Sequence, residues 1–389
     1  MQREAGTYVE AFIQSLKTRA FIPHPLPPKP PVEWSSTLEE RRDEANQWLG
    51  RLDGVAQVLP EKSLFLYQYV RKEAVLSSQI EGTQSSLKDL LMYELDEVPG
   101  VPMDDVREVS NYVAALDHGL KRVRSGELPI SLRLLNEMHG ILLQEGRGEN
   151  KTPGEFRRNQ VFIGGGSPPV ITFVPPPPGE LIKCLDPFEK FLHDQPERTP
   201  VLLKAALAHV QFETIHPYRD GNGRLGRLLI TLLLCAQGAL SEPLLYLSLY
   251  FKQNRAAYYN HLQRVRTHGD WEGWLDFFFT GVRDTARSAT SAAQRVLELF
   301  RKDSERVQAL GRGASSALRV HQVLQQRPVL SATHAAKKLS MSWPAVDKAM
   351  HALESLNIVR EFTGKKRNRL YAYDHYLEIL TEGTEPLPQ

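Results

Sequence analysis

The sequence predicts a mainly α protein with one β-hairpin near its middle and a small helix–helix–helix–hairpin unit at its C-terminus. Three observations carry this. Apolar residues recur at three- and four-residue intervals through most of the chain before residue 301. Two short β-prone runs, "QVFI" and "VITFV", flank a Gly/Ser/Pro turn, and the second ends at four prolines that no central strand could contain. The polar, glycine-containing stretch "DSERVQALGRGASS" then separates the long helical part from a compact final unit.

Taken in order, residues 22–32, "IPHPLPPKPPV", cannot be helical and read as an extended strap. Helical periodicity runs from about Ser35 to Tyr93, then from Asp105 to Arg122, and again in "SLRLLNEMHGILL". Helices resume from about Glu180 to Arg301. There Val201, Leu202, Ala205, Ala208, Phe212 and Ile215 form an apolar stripe leading into His216. "LLITLLLCA", Leu228 to Ala236, is apolar all round, as expected of a helix inside a bundle. The last unit contains the helices "ALRVHQVLQQ", "ATHAAKKL" and "SWPAVDKAMHALESL", with Ser342 an expected N-cap and Pro344 in the first turn. Its strands are "NIVREF" and "RLYAY". The expected division is 1–125, an N-terminal helical region; 126–285, a core; 286–314, a connecting helix and linker; and 315–389, the final unit.

A chain of 389 residues is long enough for two or three domains. A formal net charge of +2 leaves no whole-molecule argument for nucleic acid or membrane, so any such role must be local. Cys184 and Cys235, without CxxC spacing, fit a reducing compartment. The start of the sequence resembles no signal peptide, and Leu228 to Ala236 is about half the length that spans a bilayer. These features predict a cytoplasmic protein with no membrane partner and leave the oligomeric state, a homodimer included, open.

The densest chemistry lies in "HPYRDGNGRLGR", His216 to Arg227, which joins two helices. Gly221, Asn222 and Gly223 are residues able to take left-handed angles, and consecutive N–H groups at a helix start form a concave anion site. Arg224 and Arg227, three apart, are expected to project to nearly the same side and grip phosphate oxygens. A carboxylate beside phosphates, Asp220, suits a bridging Mg²⁺. His216 is the group able to take a proton near neutral pH. Together these parts suit a nucleotide polyphosphate, one metal and a base for a hydroxyl. His209, Glu213 and His216 also share one helical face as metal ligands would, but that reading leaves the arginines idle.

This motif, with "HVQFETIHP" before it, closely resembles the signature of Fic-domain proteins, HPF-x-[D/E]-GNGR-xx-R. The resemblance implies a helical Fic core that transfers AMP from ATP to a hydroxyl of a target protein or of itself. His216 would be the general base and Asp220 the ligand of Mg²⁺ (or Mn²⁺). Gly221, Asn222, Gly223, Arg224, Leu225, Gly226 and Arg227 would bind the nucleotide. Tyr218 stands where phenylalanine is usual. The hairpin around 161–175 resembles the family's flap, whose edge, through Thr172, Phe173 and Val174, would pair with the target segment. "NRAAYYNHL" resembles the segment whose tyrosines, here Tyr258 and Tyr259, line the adenine pocket. "SSQIEGT" fits the family's inhibitory pattern [S/T]-xxx-E-[G/N] with Ser77, Glu81 and Gly82, so that Glu81 on its helix would contact Arg227 and restrain activity. Two alternatives stand beside this: removal of AMP with Glu81 orienting water, and a DNA-binding regulator whose core senses nucleotide. The final unit resembles a winged helix, packed through Leu318, Val323, Leu339, Val346, Leu353 and Leu356. Its wing, with Lys365, Lys366, Arg367 and Arg369, would reach DNA phosphates, or the unit would instead mediate protein contacts.

Overall fold

The computed structural model describes residues 3–13, 16–58, 62–84, 86–87, 90–91, 103–144, 148–165, 170–364 and 369–386. It is mainly helical, with antiparallel strands in three small sheets among the described residues. Helix α1 (Ser36–Val58) lies along the long helix α10 (Trp271–Gln308), and Arg283–Glu44 at 2.9 Å bridges the pair. Helices α2 (Lys62–Ile80), α3 (Met103–Arg124) and α4 (Leu132–Leu142) pack around a central hairpin of α6 (Val201–Ile215) and α7 (Asn222–Ala236). α5 (Leu181–Leu192) and α9 (Arg255–His268) pack on α6, and α8 (Ser248–Gln253) packs on α2.

The expected apolar stripe on α6 understates its burial. Lys204, His209, Gln211, Glu213 and Thr214 are buried there too, so α6 is enclosed on all sides. An enclosed helix must satisfy its polar side chains internally. Lys204 Nζ donates to Asp194 at 2.6 Å, and His209 Nε2 lies 2.8 Å from the Tyr258 hydroxyl.

Two strands absent from the sequence reading open the chain. β1 (Gly6–Ile13) and β2 (Leu16–Pro23) form a hairpin in the register Gly6↔Pro23 to Ile13↔Leu16. Ala11 and Ala20 pack with Val174, which belongs to the middle of the chain. The hairpin is therefore specified by a long-range partner that local pattern does not display. Beyond it the proline-rich segment 24–35 is non-helical, as expected. The mid-chain hairpin is present as β3 (Ile163–Gly165) and β4 (Val170–Phe173).

In the C-terminal part, α11 (Ala314–Gln326), α12 (Ala332–Leu339) and α13 (Trp343–Ser355) precede β6 (Arg360–Glu361) and β7 (Leu370–Ala372), the order read from the sequence. β5 (Val329–Ser331), not foreseen, pairs with β7 and makes a sheet of order β5-β7-β6. Ser342 occupies the N-cap position of α13 without a side-chain bond there. Lys365, Lys366 and Arg367 lie outside the described residues, and Arg369 precedes β7.

The expected break begins later than the sequence suggested. Residues 303–308 continue α10, because Asp303 is buried, accepts from the Tyr373 hydroxyl at 2.7 Å and pairs with Arg306 at 2.7 Å. The chain end returns past α14 (Asp374–Thr381) to α2, where Gln79 Nε2 donates to the Thr384 carbonyl at 2.8 Å. No helix among the described residues is long and apolar enough to cross a membrane.

Tyr373→Phe removes a donor from a buried carboxylate without changing the ring. It should lower stability by about 1–3 kcal/mol, the cost of an unmet buried acceptor, measured by denaturant unfolding.

Candidate functional site

The loop between α6 and α7 is shaped by a left-handed residue at each end. His216 caps α6 with φ 51 and ψ 62, its N–H donating to the Phe212 carbonyl at 2.9 Å. Pro217 has no N–H with which to continue the helix. Gly221, with φ 78, turns the chain into α7. The expectation that Asn222 and Gly223 are also left-handed is corrected, since both belong to the helix. Asn222 instead clamps the loop: its Oδ1 accepts from Tyr218 N and its Nδ2 donates to Tyr218 O, both at 2.9 Å. Tyr218 is fully buried and its hydroxyl donates to Asn136 at 2.6 Å, which accommodates the extra oxygen relative to phenylalanine.

Arg157, which the sequence reading missed, is 2% exposed and spans the site. Its Nε donates to the His216 carbonyl at 2.8 Å and its Nη2 to the Pro176 carbonyl at 2.5 Å, while its backbone N–H donates to the Pro217 carbonyl at 2.9 Å. One guanidinium thus fixes His216 relative to the segment that follows β4. The only signal in the sequence was "FRRNQ" ahead of the hairpin, in which nothing distinguishes Arg157 from Arg158. Burial depresses the His216 imidazole to about 3, and the Arg157 and Arg266 charges push the same way. His216 is therefore neutral at physiological pH, with one ring nitrogen bare to accept a proton, but it is a weaker base than the sequence alone suggested.

The two arginines of α7 diverge instead of sharing one side. Arg224 is buried in an ion pair with Glu108 of α3 at 2.6 Å and approaches Asp220 at 3.6 Å. Arg227, 2% exposed, reaches α2: its Nε donates to Ser77 Oγ at 2.8 Å and its Nη2 to the Ser77 carbonyl at 3.0 Å. The same Nη2 donates to Glu81 Oε1 at 2.6 Å. Glu81 stands one residue beyond α2, where the sequence reading had it on the helix. Gly82, φ 100, closes that turn, its N–H donating to the Gln79 carbonyl at 3.1 Å. Glu81 Oε1 also lies where a Cβ on Gly223 would be, so the carboxylate sits on the first turn of α7. Burial raises its pKa, but the Arg227 charge and hydrogen bond outweigh burial and hold it below the usual carboxylate value.

Asp220 accepts from Gly221 N at 2.6 Å through Oδ1. Among the described residues no group of three His, Cys, Asp or Glu could hold a metal. The reading of His209, Glu213 and His216 as metal ligands fails: His209 is bonded to Tyr258, and His216 leaves the helix at its cap. A lone, partly exposed carboxylate next to a helix N-terminus does fit Mg²⁺, which takes few protein ligands and completes its shell with phosphate oxygens and water.

The outer positions are placed unequally. Thr172 is exposed, whereas Phe173 and Val174 are 6% exposed and face inward. Arg266 lies over the Phe173 ring at 4.0 Å, and Phe21 N already donates to the Val174 carbonyl at 2.9 Å. Tyr258 is in the core, bonded to His209, whereas Tyr259 is 40% exposed. Leu225 and Gly226 are buried in α7, where a Cβ on Gly226 would press on Glu213 Oε1 at 2.8 Å.

Residues 40–121 match the Fic/DOC family N-terminal region, and residues 129–234 match the Fic/DOC family domain that contains this loop. The chain belongs to the Fic/DOC family. It is 32% identical over 278 residues to the protein adenylyltransferase Fic of Drosophila yakuba, covering 68% of this chain and 48% of that protein. The protein of the same name from Drosophila melanogaster is 31% identical over 195 residues, covering 49% of this chain and 34% of that protein. The chain thus spans about half, or less, of the length of these curated relatives. A crystal structure of a Fic family protein from Desulfovibrio desulfuricans superposes with a TM-score of 0.58 at 20% identity, covering 88% of this chain and 97% of that one. At that identity the likeness is one of fold.

Two expectations follow from the histidines. The His216 ring should stay neutral in an NMR titration from pH 7 to below pH 5, and Arg157→Leu should move its midpoint up toward the ordinary 6.5. His209 and His216 both lie near 3 in the folded chain, whereas unfolded histidine binds a proton near 6.5. Their contribution to stability is therefore present above about pH 6.5 and is lost as pH falls toward 3, which urea unfolding at a series of pH values would show.

Proposed function

We propose that this Fic-family chain is a protein adenylyltransferase that moves AMP from ATP to a Tyr, Ser or Thr hydroxyl, and that Glu81 restrains it in cis. The observation that carries the proposal is the Glu81 carboxylate seated on Arg227 and on the first turn of α7. A helix N-terminus with a buried arginine is an anion site, and here a carboxylate of the same chain stands where a phosphate would.

ATP enters with its polyphosphate against the N–H groups of Gly221, Asn222 and Gly223. Arg227 takes the terminal phosphate once Glu81 moves aside, and Arg224, held by Glu108, braces the start of α7. Asp220 would hold Mg²⁺, which when bound would offset negative charge on the phosphates. Tyr259 offers the exposed aromatic face near Arg227 for the base, with Tyr258 as its backing in the core. The target hydroxyl gives its proton to His216 as its oxygen bonds to the α-phosphorus. The bond from that phosphorus to the bridging oxygen breaks, and pyrophosphate leaves. Removing a general base typically costs about 10² to 10⁴ in rate. Misplacement of the α-phosphate by about one ångström costs on the order of 10².

Single-turnover transfer from α-labelled ATP, with mass spectrometry to locate the modified residue, tests both parts. Glu81→Gly should raise transfer by on the order of 10² over wild type, and His216→Ala in that background should abolish it while ATP still binds. Arg227→Ala alone should not activate, because it removes the phosphate ligand together with the restraint. Equal rates for wild type and Glu81→Gly would discard the restraint, and undiminished transfer by the His216→Ala protein would discard the base.

A further inference from the structure

His139 lies on α4, outside the signature loop, and is fully buried. Both ring nitrogens are engaged. The Gly154 N–H donates to Nδ1 at 2.8 Å, and Nε2 lies 3.0 Å from the Asp220 carbonyl. Each of these partners has one role, since an amide N–H only donates and a carbonyl only accepts. Nδ1 must therefore be bare, and the single proton of the neutral ring must sit on Nε2 and point at Asp220. The ring also stacks on Tyr218 at 3.8 Å between centroids. A Cβ on Gly221 would lie 3.6 Å from its Nε2, so the left-handed residue of the loop rests against the imidazole. Two segments that are distant in sequence, at residue 154 and at residues 218–221, thus meet on one side chain.

The consequence falls on the Asp220 carboxylate. Its Oδ1 is bonded to Gly221 N, so its direction follows the peptide between residues 220 and 221. The carbonyl of that peptide is the group held by Nε2. Without this bond the peptide can rotate, and the carboxylate and the first N–H of the anion site rotate with it. We infer that His139 is a positioning residue that fixes Asp220 toward the phosphate-bound cation through the Asp220 carbonyl. The inference rests on the reading of Asp220 given above. Partners that orient a metal ligand in this way typically contribute about 10- to 100-fold to metal affinity.

Two amide replacements separate the bonds. In His139→Gln the side-chain amide can place a donor where Nε2 stands, keeping the Asp220 bond and giving up the acceptor for Gly154. In His139→Asn the shorter amide keeps an acceptor at the Nδ1 position and cannot reach Asp220. The experiment uses the full chain with Glu81→Gly in every variant, so that ATP binding is unobstructed. It measures amide hydrogen exchange over residues 217–226 and 149–156, and ATP binding as a function of Mg²⁺. The Asn variant should exchange faster at 217–222 and need about 10- to 100-fold more Mg²⁺ for the same gain in ATP affinity. The Gln variant should match the parent in both and loosen only 149–156. Parent-like behaviour of the Asn variant overturns the inference. So does equal loss in Asn and Gln variants together with a lower melting temperature, which would make His139 a packing residue. Should the parent bind ATP independently of Mg²⁺, the Asp220 reading fails, and the exchange pattern of the two variants alone decides whether His139 anchors the loop.

Discussion

The buried guanidinium of Arg227 is the constraint around which the rest is arranged. A charge 2% exposed cannot be left unmet, since an unpaired buried ion costs several kcal/mol. Its own helix cannot supply acceptors, because the carbonyls of α7 are used within the helix. They come from α2: the hydroxyl and carbonyl of Ser77 and the carboxylate of Glu81. One side chain of the Fic domain thereby holds the N-terminal helical region in place. The same need would be met by a phosphate, and under the proposed reading a nucleotide and Glu81 would compete for that one residue.

The loop from His216 to Gly221 has the opposite problem. It is irregular backbone beside a packed core, and its carbonyls before Gly221 have no helical partners. Side chains from elsewhere supply the donors: Arg157 to His216, His139 to Asp220 and Asn222 to Tyr218. Each is buried and each is held by further bonds, so the loop is fixed without regular structure of its own. The left-handed conformation of His216, uncommon for a residue with a side chain, persists because the Phe212 carbonyl and Arg157 hold it from both sides. The neutrality of the imidazole follows from the same enclosure, since the arginine that positions it also opposes a second positive charge.

The C-terminal part is joined to this core along α10 and through the segment that follows α14. α10 runs unbroken from Trp271 beside the core to Gln308, with Asp303 tied to Tyr373. The chain end returns to α2, where Thr384 meets Gln79, two residues before Glu81. The last turn of α2 is therefore held on one side by Arg227 and on another by the end of the chain.

The sequence by itself determined the mainly helical class, the mid-chain hairpin, the order of the C-terminal elements and the loop that carries the chemistry. These depend on short-range chemistry: helical periodicity, prolines that exclude strands, and a glycine between two helices. Glu81, Ser77 and Arg227 were legible as a set only through the resemblance to the Fic signature, because nothing local links residue 81 to residue 227. Tertiary structure alone decided the rest. It sent Arg224 to Glu108 and Arg227 to Glu81, although three residues apart on a helix they look alike. It turned Tyr258 into the core and left Tyr259 outside, and it paired an opening hairpin with Val174. It also selected Arg157 over Arg158, and His139 among the histidines, as the residues that hold the site. For the polar residues the deciding quantity is whether the group, once buried, finds a partner, and for the opening hairpin it is the apolar contact of Ala11 and Ala20 with Val174. In both the partner lies far away in the chain.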